Sequence, residues 1–323
     1  MKNNNEFKSV NELESLDDLG LEYNETFSVE GGLNMIENEF KYLFDNHNKW
    51  LNGVGGQKLS VNLLNMSNME LENENLAKAN FENCDFSYTI FNNINFSEST
   101  FRKCNFKGAA FIHCKLNESR FIECNLNKSR FTCNTGTRLE IKSSKMIQSM
   151  FIFNHFESIS IESCELHIVN FLSNFMRKSF LYDSEMHNTK ISDSDLMESN
   201  INTCEFVNCE FYGVNLDYST IKNNIMMENK FLLTSLNNIN ELEVYSIQVP
   251  IKDESPTIYN IPEWELWIFK NVCGQVIDLY KHLEGSYYTD EDKEKLENAV
   301  YVINNLKNSE NQKKEVNKEL SWE

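Results

Sequence analysis

The stretch CDFSYTIFNNINFSESTFRKCNF, Cys84 to Phe106, places a phenylalanine at Phe86, Phe91, Phe96, Phe101 and Phe106. The interval is five every time. An α-helix repeats near 3.6 residues and an ordinary strand at 2, so neither explains the spacing. The frame extends far beyond the quoted segment. Stepping by five from Val61 to Leu236 visits 36 positions, and every one except Gly136 is apolar. A chain with 41% hydrophobic residues does not produce that run by chance, so the period is structural.

A second position obeys the same frame. Two residues before the central apolar residue stand small side chains such as Ala79, Cys84, Thr89, Ser99, Cys104, Ala109, Cys114 and Cys124. The other three places are mainly polar. One large and one small inward residue per five, separated by outward polar ones, describe a thin solenoid with a narrow interior. The segments AKANFENCDF, CNFKGAAF and CKLNESRFIECNLNKSRF resemble the pentapeptide-repeat family, whose pattern is A(D/N)LXX with Leu or Phe at the centre. The resemblance covers about 180 residues. It implies a mainly β fold, a right-handed quadrilateral β-helix with one pentad per side. Thirty-six pentads then make nine coils, a rod of about 43 Å at the usual strand spacing. Such an array is stabilised by neighbour contacts and needs capped ends.

The flanks divide accordingly. Residues 1–32 read as a flexible acidic N-terminus. Leu33, Ile36, Phe40, Leu43, Phe44, His47 and Leu51 recur at helical spacing, and the glycines of NGVGG at 52–56 end that helix; 33–56 is thus a capping helix and turn. The entry segment from His47 to Leu71 is similar to that of a bacterial, often prophage-associated, subset of the family. The solenoid spans 57–240 and a strand or linker 241–260. Residues 261–308 read as a helical hairpin, with Trp264, Trp267, Ile268, Val272, Val276, Leu279 and Leu283 on one stripe. Thr289 and Asp292 form a capping box for its second helix, which carries Val300, Ile303 and Leu306. That stripe is the candidate surface for capping the last coil or for pairing with a second copy. Residues 309–323 read as a charged tail. Gly136 interrupts the inward ladder between Leu116 and Phe156; a void would cost stability, and an outward loop is the favoured reading.

Acids outnumber bases 49 to 30, a formal charge of −19, which disfavours binding to nucleic-acid backbones. The bases are unevenly placed: residues 101–150 hold 10 against 3 acids. Arg102, Lys103, Lys107, Arg120, Lys128, Arg130 and Arg138 are therefore a candidate recognition surface. No apolar run is long enough to span a membrane, and no secretory h-region opens the sequence. The nine cysteines read as reduced thiols of a cytoplasmic protein.

Candidate chemistry is sparse. Cys84, Cys104, Cys124, Cys164 and Cys204 are separated by multiples of 20 and should share one column. A soft-metal or redox ladder is one reading, and small apolar filling the stronger one. His167 and His187 are also 20 apart and should stack, but two ligands fall short of a four-coordinate metal set. GVGGQK at 53–58 does not fit the phosphate-binding loop pattern, and no nucleophile or nucleotide motif is present. The expectation is a protein that is not an enzyme and has no cofactor or metal: a rigid rod that binds protein partners. The resemblance also implies an alternative, a duplex-mimicking rod that modulates or protects DNA gyrase or another topoisomerase.

Overall fold

The computed structural model describes residues 33–249, 251, 256–270, 272–284 and 288–320. The segment 1–32 expected to be flexible lies outside the described residues. Two compact units divide the chain, Met1–Leu43 and Phe44–Glu323. The described part of the first is the opening of helix α1 (Leu33–Leu51); all that follows concerns the second.

From Ser60 onward each pentad supplies a three-residue strand or a single bridge, with its central residue inward. Each pairs in parallel with the pentad 20 residues away: Phe81 with Phe101, Phe101 with Phe121, Phe121 with Ile141. The coil is four-sided, and its faces I to IV are centred on residues 81, 86, 91 and 96 and their repeats. Faces I and III are nine-stranded parallel sheets, running from Ser60–Asn62 to Thr220–Lys222 and from Glu70–Glu72 to Lys230–Leu232. Face II widens into a four-stranded sheet, Glu165–His167, Glu185–His187, Glu205–Val207 and Ile225–Met227. Face IV has strands only at Thr135–Thr137 and His155–Glu157. Elsewhere faces II and IV hold single bridges such as Asn65 to Asp85 and Asn75 to Asn95. Nine coils result, as the resemblance to pentapeptide repeats implies for 36 pentads.

The interior is a column of rings. Phe91, Phe111, Phe131, Phe151 and Phe171 stack with centroids 4.9, 4.5, 4.7 and 4.9 Å apart. Rings on adjacent faces meet edge to face, as Phe101 and Phe106 do at 5.2 Å and 82°. Both arrangements suit the aromatic quadrupole. Phe86, Phe91, Phe96, Phe101 and Phe106 are all fully buried. Corners are turned by the residue two beyond the centre, which is left-handed in almost every pentad, including Lys103, Ile168 and Thr203. Side chains with a Cβ resist that conformation. It is held because each corner amide donates to the next coil, as Lys103 N does to Ile122 O at 2.9 Å.

Gly136 does not loop out. It lies buried in the strand Thr135–Thr137 and pairs with Phe156. The lattice closes over it: Thr135 N donates to Cys114 O at 3.0 Å, and Leu116 N donates to Thr135 O at 2.7 Å. A Cβ at Gly136 would sit 3.1 Å from Leu116 O and 3.3 Å from its Cβ. The missing side chain thus lets two coils close up, and no bulge is required.

At the N-terminal end of the second unit, His47 ties the last turns of α1, residues 44–51, to the first coils. Its ring Nδ1 accepts from Leu59 N at 3.0 Å and its Nε2 lies 2.9 Å from Ala77 O. Gly56, at φ +78°, allows the turn back to the helix: a Cβ there would lie 2.1 Å from Asn46 O.

The C-terminal end holds the two expected helices, but the first begins later than the apolar stripe suggested. Residues 262–270 and 272–275 are not helical beyond one turn of 3-10 helix, Pro262–Trp264. A four-stranded antiparallel sheet forms from Tyr245–Gln248, Thr257–Ile261, Leu266–Phe269 and Val272–Gly274. Helix α2 (Val276–Leu283) follows, and then α3 (Asp290–Leu320). Thr289 and Asp292 form the expected capping box at α3, with Asp292 N donating to Thr289 Oγ1 at 3.2 Å and Thr289 N to Asp292 Oδ2 at 3.0 Å. The segment read as a charged tail continues α3 to Leu320, since Glu, Lys, Asn and Gln contain no helix breaker. The sheet covers the last coil: Leu233 N donates to Lys270 O at 2.8 Å, and Trp264 stacks on Phe231 at 5.5 Å.

Candidate interaction surface

The cysteine column exists and is closed. Cys84, Cys104, Cys124, Cys164 and Cys204 are all buried, and no disulfide joins them. Their thiols lie near backbone carbonyls; Cys104 Sγ is 3.5 Å from Phe81 O and 3.4 Å from Arg102 O. Burial pushes the Cys164 and Cys204 thiols up to about 11. Hydrogen bonding to the neighbouring thiol of Cys124 is the main cause of the rise at Cys104, to about 12. A thiolate, the reactive form, is disfavoured at Cys104, Cys164 and Cys204. Cys114, outside that column, is also buried and raised to about 11 by desolvation.

The seven candidate basic residues do not share one face of the coil. Arg102 and Arg120 lie on face I, Lys107 on face II and Arg130 on face III; Lys103, Lys128 and Arg138 are corner residues. Four of them are paired with glutamates of an adjacent coil. Arg102 and Lys103 meet Glu123 at 3.3 and 3.7 Å, Arg120 meets Glu140 at 3.4 Å, and Arg138 bonds Glu118. Exposed pairs of this kind add little stability, but they replace a positive field by a mosaic of both signs. Among the described residues, Lys107, Lys128 and Arg130 have no ion pair.

The apolar stripe is also redistributed. Trp264 is in the 3-10 turn, Trp267 and Ile268 are on the strand Leu266–Phe269, and Val272 opens the next strand. Val276, Leu279 and Leu283 are on α2. Trp267, Leu279 and Leu283 are buried in one cluster with Phe269, Leu296, Val300 and Ile303, and Val272 and Val276 pack against it. These side chains form the core of the C-terminal cap.

A different surface emerges where the sixth coil passes into the seventh. The segment FMRKSFLY, Phe175 to Tyr182, turns the corner from face IV to face I. His155 stacks on Phe175 at 4.3 Å, and the Arg177 guanidinium lies 5.1 Å from the centre of the same ring. Arg177 Nε also donates to Asp195 Oδ2 at 2.6 Å, so the guanidinium is fixed between a ring and a carboxylate. Beyond the corner, Phe180 is 50% exposed and Tyr182 46%. They are the outward residues of the strand Phe180–Tyr182, flanking buried Leu181. Phe180 lines a shallow open groove with Glu118, Arg120, Arg138, Glu140 and Lys178. The sequence held a signal for this strip: in the five-residue frame, Phe175, Phe180 and Tyr182 fall on outward positions where polar residues are the rule.

Residues 74–151 match the family model described as "Pentapeptide repeat region". No curated protein matches the chain in sequence. Among solved structures, the chain is similar to QnrB1, a plasmid-mediated fluoroquinolone resistance protein. Identity is 18% and the TM-score 0.39, over 56% of this chain and 93% of that one. It is also similar to HetL, a pentapeptide repeat protein involved in heterocyst differentiation regulation from the cyanobacterium Nostoc sp. Strain PCC 7120. There the identity is 12% and the TM-score 0.29, over 57% of this chain and 92% of HetL.

Proposed function

As this chain belongs to the pentapeptide-repeat family, we propose that it acts without chemistry of its own, as a rigid scaffold that docks a protein partner. The observation that carries this reading is the Phe175–Tyr182 strip. Aromatic residues and arginine are enriched where proteins bind one another. Here two half-exposed aromatics stand on a parallel sheet beside an arginine held in place by a ring and a carboxylate. Little side-chain freedom remains to be lost on binding, which favours affinity. The mixed-charge groove around Arg120 and Glu140 supplies a polar rim. The test is affinity capture from the native host with the intact chain and with the Phe180→Ser/Tyr182→Ser variant, quantified by mass spectrometry. A partner whose recovery falls at least about tenfold in the variant supports the reading; each 1.4 kcal/mol is a factor of ten. Equal recovery of every captured protein by both forms overturns it.

A second reading, action on DNA gyrase or another topoisomerase as an acidic duplex-like rod, draws on the formal charge of −19. The pairing of Arg102, Lys103, Arg120 and Arg138 with glutamates favours it, because the basic centre then presents no uniform positive field. Supercoiling by gyrase, followed with rising amounts of this protein, decides it. A change at micromolar protein supports the mimic, and unaltered supercoiling removes it.

A further inference from the structure

Face II carries a group of side chains that the docking role does not use. Two consecutive coils contain the same outward pair, Glu165-Leu166-His167 and Glu185-Met186-His187. In each strand the central residue is buried, so the flanking glutamate and histidine project to the same outer side. Parallel pairing in register places His167 against His187 and Glu165 against Glu185. The two imidazoles stack with centroids 4.7 Å apart and planes 6° apart. One ligand atom from each of His167, Glu185 and His187 lies within 4.8 Å of the others.

The partners of these groups are incomplete. The Nε2 atoms of both histidines are buried and have no hydrogen-bond partner. Glu205 Oε1 lies 3.5 Å from His187 Nε2, close but outside hydrogen-bond geometry. Glu165 is neutralised by Lys145 at 2.9 Å, whereas Glu185 has no ion pair among the described residues. Buried ring nitrogens without partners are costly, and a carboxylate beside them supplies the charge that a cation requires. The histidine column is bounded by Ile147 on one side and Val207 on the other, which limits competing water.

We infer that His167, His187 and Glu185 form a binding site for a divalent transition-metal ion of the zinc class, with Glu205 placed to serve as a fourth ligand. Two imidazoles with carboxylate oxygen suit Zn²⁺, whose lack of geometric preference tolerates such a set. Hard cations such as Mg²⁺ and Ca²⁺ prefer all-oxygen sites. Ligands at about 2.1 Å from one tetrahedral ion stand roughly 3.4 Å apart, so modest ring rotations close the present spacing. The backbone need not move, because the solenoid ladder fixes it. The cysteine column lies buried inside the coil, so its thiols do not compete in the folded chain.

The experiment is calorimetric titration of the chelator-treated full chain with Zn²⁺, with the visible absorption of bound Co²⁺ as a report on coordination. One ion per chain and a four-coordinate Co²⁺ spectrum are expected. His167→Ala/His187→Ala should weaken binding by more than the roughly 10–100-fold that loss of a supporting partner costs. Glu185→Gln should weaken it without changing the far-ultraviolet circular dichroism, which separates ligand loss from unfolding. No Zn²⁺ binding by the intact chain overturns the site. So does binding of equal affinity and stoichiometry in the double-histidine variant, since the ion would then lie elsewhere.

Discussion

The side-chain amide of Asn154 donates to Asn174 Oδ1 at 2.9 Å, across one full coil of the solenoid. Asn134 does the same to Asn154 at 3.0 Å, and all three asparagines are buried. Each also donates to a backbone carbonyl 23 residues earlier: Asn134 to Phe111 O, Asn154 to Phe131 O and Asn174 to Phe151 O. Their Oδ1 atoms accept backbone amides, as Asn154 accepts from Asn134 N at 2.9 Å. This ladder occupies the small-residue column of face IV, where an amide both fills the space and satisfies the corner.

Replacing Asn154 by Ala therefore removes partners from Asn134 N and Phe131 O at once. A buried group left unpaired costs about 1–3 kcal/mol, so a loss of at least about 2 kcal/mol is expected. The midpoint of urea unfolding measures it, and a shift within error would remove the ladder's structural role.

Gly136 sets the opposite test. The five-residue frame calls for Leu or Phe there, yet Gly136→Leu should destabilise the protein. Leu116 backbone atoms lie where the new side chain would begin, and overpacking a core costs about 1–3 kcal/mol. Calorimetric melting of the variant should show a lower midpoint. A higher one would mean that the coils part to accept a side chain.

His47 should make stability fall in mild acid. Its pKa is held below the ordinary 6.5, first by desolvation. Leu59 N–H, which donates to Nδ1, leaves no room for a proton on that atom. The unfolded chain then protonates first, so the stabilisation is complete above pH 6.5 and declines as pH falls through 6.5 toward the folded-state value. Each unit of depression is worth about 1.4 kcal/mol. Comparing urea midpoints at neutral and mildly acidic pH for the protein and for His47→Gln checks this; the variant should lose that part of the slope.

Ile168 is a β-branched residue at φ +59° and is 55% exposed. Asparagine tolerates the left-handed region far better. Ile168→Asn should accordingly stabilise the chain by about 0.5–1 kcal/mol, read as a raised urea midpoint. An unchanged or lowered midpoint would show that the corner strain is already relieved.

The seven fully buried cysteines should resist alkylation by iodoacetamide in the folded protein, whereas the partly buried Cys133 and Cys273 react first. Peptide mass spectrometry gives the order. Early labelling of Cys104 or Cys124 would reopen a redox role for the column.

Much of this molecule was legible in its residues. An interval of five that neither helix nor strand can satisfy marked a solenoid, the resemblance to pentapeptide repeats implied four sides to the coil, and a step of 20 then paired Phe81 with Phe101 and His167 with His187. The Thr289–Asp292 cap was equally plain, because capping is local chemistry. What tertiary structure alone decided lay where local pattern permits two answers. Trp264, Trp267, Ile268 and Val272 suit a helical stripe, yet the exposed end of the ninth coil offers Leu233 N–H, and Lys270 O in the C-terminal sheet satisfies it. Gly136 suits a loop, yet the amides on either side are held by the coils above and below. The basic residues clustered along the chain, but a five-residue step turns the corner each time and spreads them over several faces. Period sets which residues face inward; the unsatisfied hydrogen bonds at the ends and the path around the corners determine the rest.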